Sequence, residues 1–80
     1  MAMKKREKKV GKFIVLLIEF YETVGTHGRL GELTDAEISV HLKGQVKGLQ
    51  RREDYSLKDE ARRVYNSLSS QRKIEKWISA

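Results

Sequence analysis

The 80-residue chain has no cysteine and no proline. Without cysteine it can form neither a disulfide nor a thiolate metal site, and its redox compartment cannot be read. Without proline nothing locks φ or removes a backbone donor, which favours long uninterrupted helices. Aromatic residues make up only 8% of the chain. Tyr55 and Tyr65 alone lie near basic residues and fit a core equally well. That scarcity counts against base stacking on single-stranded RNA. The two histidines, His27 and His41, have no partner at ligand spacing, so no metal site is expected. The apolar run Phe13–Ile18 is far shorter than the ~20 residues of a membrane helix, and Glu19 and Glu22 follow it. No small-residue cleavage site follows the basic start, so a secretory leader is not expected and the protein is read as intracellular and cytoplasmic.

Catalytic signatures are missing too. There is no His pair four apart and no Gly-x-Ser-x-Gly elbow. The loop GTHGRLG lacks the Lys-Ser/Thr ending of a phosphate-binding loop. The expectation is a protein that is not an enzyme and holds no cofactor.

What the chain does have is positive charge, +6 overall with 35% charged residues. It is unevenly placed. Residues 1–12 carry six Lys/Arg against one acid, whereas residues 13–42 carry one against five. Residues 43–53 return to four against one, and residues 54–80 carry six against four. Segregation of this kind suits an organised basic face meeting a polyanion. Residues 1–9 read as a basic arm carrying Lys4, Lys5, Arg6, Lys8 and Lys9, with residues 10–80 as a single helical domain.

Helical spacing is the pattern on which the fold class rests. Val10, Phe13, Ile14, Leu17, Ile18, Tyr21 and Val24 follow i, i+3, i+4, i+7. Val15, Leu16 and Phe20 fall off that stripe, so a helix over residues 10–24 would be apolar nearly all round. A small chain cannot cover such a helix, and a homodimer through residues 10–24 is the expected remedy. The β-branched content of FIVLLI makes a strand the competing reading. Residues 25–32 read as a loop, and Thr34–Glu37 as a capping box, with Leu33 and Ile38 stapling a helix that runs to Leu42. Ser56 caps a last helix, drawn as continuous from 57 to 78, with a break near Ser69 as the alternative.

The stretch Leu33–Glu53, LTDAEISVHLKGQVKGLQRRE, resembles the helix-turn-helix family of prokaryotic, plasmid and viral transcription regulators. Ile38 and Leu42 match core positions of that family's first helix, and Leu49 one of its second. Lys43 stands where the turn glycine is expected, with Gly44 after it, and the segment following Arg52 leaves at most a vestigial wing. The resemblance covers about a quarter of the chain. It implies a dimeric all-α fold of three or four helices that binds duplex DNA. Gln45 and Gln50 would be candidate base readers. Lys43, Lys47, Arg51 and Arg52, together with the 4–9 arm, would hold phosphate. Ile38, Leu42, Val46 and Leu49 also fit one unbroken amphipathic helix. The alternative function is a helical interaction module, adaptor or inhibitor, for an acidic protein partner, with RNA binding third.

Overall fold

The computed structural model describes residues 2–24, 29–45, 47–57 and 59–80; side chains are not described for residues 2, 23, 24 and 29–34. The chain forms a four-stranded antiparallel sheet in the order β1-β2-β3-β4, followed by two short helices. The strands are β1 (Ala2–Val10), β2 (Phe13–Val24), β3 (Arg29–Leu42) and β4 (Leu49–Tyr55). The helices are α1 (Glu60–Ser67) and α2 (Gln71–Ser79). The all-α, helix-turn-helix expectation is therefore overturned. The segments assigned to the first two helices are the two central strands.

The physical reason lies in which residues are buried. Along β2, Phe13, Val15, Leu17 and Glu19 are buried while Ile14, Leu16, Ile18 and Phe20 are only partly covered. That is a period of two. Ala36, Ile38 and Val40 repeat it on β3. A strand with apolar residues on both faces fills helical positions as well as alternating ones, so its spacing could be read either way. β-Branched residues at 14, 15, 18, 38 and 40 suit the pleated surface. Thr34–Glu37 lies inside β3 and caps no helix; the Thr34 side chain and His27 lie outside the described residues.

One face of the sheet is packed. Its core joins Phe13, Val15 and Leu17 of β2 to Ala36, Ile38 and Val40 of β3, against Ala61, Tyr65, Leu68 and Ile74 of the helical region. The molecule is a slab of 44 × 25 × 16 Å, the thickness of one sheet and one helical layer. The helix expected over 57–78 is two helices. Leu68 ends α1, and Ser70, extended at φ −141° and ψ 156°, accepts a hydrogen bond from the Lys73 N–H at 3.3 Å to start α2. Asp59, not Ser56, precedes α1, and its side chain makes no cap.

Two tight connections lie at the same end of the slab. Gly11 and Lys12 join β1 to β2, with Gly11 at φ +57°, as the first position of a II′ hairpin turn requires. Lys43 and Gly44 begin the β3–β4 connection, with Gly44 at φ +72°. This is a turn between strands, closed by Leu42 N–H donating to the Gly48 carbonyl at 2.9 Å. The Lys43 N–H donates to the Lys12 carbonyl at 3.0 Å and ties the two connections together.

Candidate functional site

The residues read as a basic arm form β1 from Ala2 onward, an edge strand paired along its length with β2. Its side chains alternate between the two faces. Lys4, Arg6 and Lys8 share the helix side with Glu19, Leu17 and Val15, their register partners. Lys5 and Lys9 share the opposite, open side with Ile18 and Ile14.

The described cations of the strands and their connections, with Arg62 of α1, fall into two groups. The first is occupied inside the fold. Lys8 Nζ donates to the Tyr65 carbonyl at 2.6 Å and lies 4.3 Å from the centre of the Tyr65 ring. Partial burial there lowers the Lys8 pKa from its ordinary value. Lys4 sits over the Tyr21 ring at 5.6 Å. Arg51 stacks on Trp77 at 4.4 Å, donates to the Trp77 carbonyl and pairs with Glu53 at 3.2 Å. Arg52 pairs with Glu37 at 3.0 Å on the open face. Arg62 pairs with Glu19 at 2.7 Å, and Lys12 with Glu75 at 3.7 Å.

The second group has no such engagement. Among the described residues, Lys5, Arg6, Lys9, Lys43 and Lys47 make no ion pair and no side-chain hydrogen bond, and all are exposed. They line β1 and the end of the slab where Lys12 and Lys43 meet. The opposite end of the sheet holds Glu22, Asp35 and Asp54.

The recognition residues named from the sequence are dispersed by this fold. No recognition helix exists, because 43–48 is a connection and 49–55 is β4. Gln50 Nε2 donates to the Gly48 carbonyl at 3.1 Å, and Arg51 and Arg52 are engaged as above. Gln45 lines a shallow cavity of about 440 Å³ on the open face, with Glu7, Ile14, Leu16 and His41 among its walls. Lys43 and Lys47 remain together with Lys9 at the free end. The signal for the engaged cations was not in their spacing. It lay in the aromatic residues far along the chain, Tyr65 and Trp77, that cover Lys8 and Arg51.

No metal-holding group of three or more His, Cys, Asp or Glu occurs among the described residues, and none of the described helices is long and apolar enough to cross a membrane. Compared with family models, curated proteins and solved structures, the chain matches none, and the functional reading rests on its own residues.

Proposed function

We propose that the protein binds duplex DNA through the phosphate backbone, without reading base edges, using Arg6, Lys9, Lys43 and Lys47. The observation that carries this is the division of the cations. Among the described residues these four make no ion pair and lie on β1 and at the end of the slab, whereas Arg63, Arg72 and Lys76, also unpaired, belong to the helices and Lys12, Arg51, Arg52 and Arg62 are each bound to an acid. Cations held on a rigid strand and a tied turn meet a charged backbone with little further loss of side-chain anchoring. Base reading drops out of the proposal because Gln50, Arg51 and Arg52 are tied to protein partners. The reading places the protein in the cytoplasm, together with its polyanion.

Salt titration tests it. Four phosphate contacts give a slope of log K against log[salt] of roughly −3.6, and replacing Lys43 and Lys47 by alanine flattens it by roughly 2. The same loss is expected on unrelated duplex sequences. An absence of binding at low salt, or a slope unchanged in the double variant, overturns the proposal.

A further inference from the structure

The helices cover one face of the sheet and leave the other bare. On that open face the register places four rows side by side. Met3, Phe20 and Asp35 form one row, and Lys5, Ile18, Glu37 and Asp54 the next. Glu7, Leu16, Ser39 and Arg52 form the third, and Lys9, Ile14, His41 and Leu49 the fourth. Read along the strands, β2 contributes an apolar column, Ile14, Leu16, Ile18 and Phe20, along the middle of the sheet. Met3 and Leu49, 54% and 49% exposed, extend the apolar surface at either side.

The charges flanking that column differ in sign. On β1, Lys5 and Lys9 outweigh Glu7 and leave one positive charge. On β3 and β4, Asp35, Glu37 and Asp54 outweigh Arg52 and leave two negative. Lys5 and Asp54 occupy the same row, and neither has an ion pair among the described residues. They stand three strands apart, roughly 14 Å at ~4.8 Å per strand, which is too far to pair within one chain.

We infer that this open face is where a second copy of the chain packs, about a twofold axis running along β2. The axis lays the apolar column on itself, so that Leu16 faces Leu16 of the partner subunit. It carries β1 of each copy onto the acidic side of the other. Lys5 then meets the partner's Glu37, with the partner's Asp54 one strand further within reach of its long stem, and Glu7 approaches the partner's Arg52. The in-plane twofold at right angles stacks β1 on β1 and acidic β3 on β3, and so loses this complementarity. Four strands and four rows make a face of roughly 19 × 27 Å. Two such faces pack with their strands nearly aligned, as in a β-sandwich. The pairing is isologous and closes at two copies. It shares only Lys9, at the rim of the face, with the DNA reading, whose other side chains lie at the edge and end of the slab.

Sedimentation over a range of concentrations tests the pairing. Leu16→Asp, at a position outside the core, leaves the circular dichroism unchanged and weakens dimerisation by roughly 30-fold or more. Lys5→Glu weakens it by roughly tenfold, and adding Glu37→Lys with Asp54→Lys restores it. A chain that stays monomeric at millimolar concentration overturns the inference, as does a dimer that Leu16→Asp leaves intact. A dimer that Lys5→Glu leaves as strong as the parent overturns the axis. If the chain is monomeric and Leu16→Asp abolishes DNA binding instead, the face belongs to nucleic acid and the inference falls.

Discussion

Arg62, on α1, reaches across to β2 and holds Glu19 at 2.7 Å. Glu19 is buried, 3% exposed, in the face that packs against the helices, and the same guanidinium donates to the Tyr21 hydroxyl at 3.1 Å. The Glu19 hydrogen bond and charge raise the Arg62 pKa still further above its ordinary value. The pair is the polar bolt between the helical layer and the sheet.

Arg62→Ala leaves the Glu19 carboxylate buried without a counter-charge. Urea unfolding should show a clear loss of stability, moderated by the exposure of the Arg62 side chain to solvent. Arg62→Ala combined with Glu19→Leu should recover most of it, because no buried charge is then left over. An unfolding curve that the single variant leaves unchanged means the carboxylate is hydrated after all.

Arg51→Ala should loosen the end of α2, since Arg51 covers the Trp77 ring and bonds its carbonyl. A loss of about 1–2 kcal/mol and a red-shifted Trp77 emission are expected. The salt slope of DNA binding should not change. A flattened slope returns Arg51 to the phosphate contact.

Gly11→Ala and Gly44→Ala separate backbone strain from crowding. Both positions have positive φ, a cost of about 1 kcal/mol for alanine. A Cβ at Gly44 meets open space, whereas one at Gly11 collides with the side chain of Gln71 on α2. Gly11→Ala should therefore lower the melting temperature more than Gly44→Ala. The reverse order contradicts the contact between α2 and the β1–β2 turn, which the Lys12 N–H also makes by donating to Gln71 Oε1 at 3.1 Å.

Alkali should destabilise the fold through two tyrosines. Burial raises the pKa of Tyr55 and Tyr65 above the ordinary 10.0. The folded state therefore favours their neutral forms. Their contribution is complete below pH 10.0 and is lost as pH rises through the folded-state values. Lys8 works the other way: its lowered pKa makes its charged form a cost that fades as pH climbs toward 10.5. Tyr65→Phe removes one of the two tyrosine contributions. Tyrosinate absorbance and stability followed together across this range should show unfolding shallower in Tyr65→Phe than in the parent. Equal steepness denies Tyr65 the role.

How much of this was legible in the chain depends on the element. The spacing Ile38 to Leu42 is four, which a helix face and a strand face share, so it could not choose between them. Ala36 and Val40, two residues from Ile38 on either side, could have chosen: with Asp35, Glu37, Ser39 and His41 between them, the run alternates apolar and polar throughout. Helical capping chemistry at Thr34 outweighed that alternation in the sequence reading, and pairing with β2 and β4 outweighed it in the fold. At Lys43–Gly44 the sequence left a turn and an unbroken helix both open; the fold has a turn there, and it joins strands where helices were expected. Nothing local showed that Lys8 and Arg51 would be covered, because Tyr65 and Trp77 lie 57 and 26 residues away.

The placement of lysines on β1 has a consequence for polymerisation. An unpaired strand edge offers its backbone donors and acceptors to any passing strand, and repeated addition there grows a fibre. β1 is such an edge, and its close-set ammonium groups repel the β1 of a neighbour before backbone bonds can form. Pairing of β1 with the β1 of another copy is thereby disfavoured, while stacking through the bare face stays open and ends at two. Cancelling those charges, with salt or by acetylating the lysines, should therefore release edge-to-edge pairing through β1.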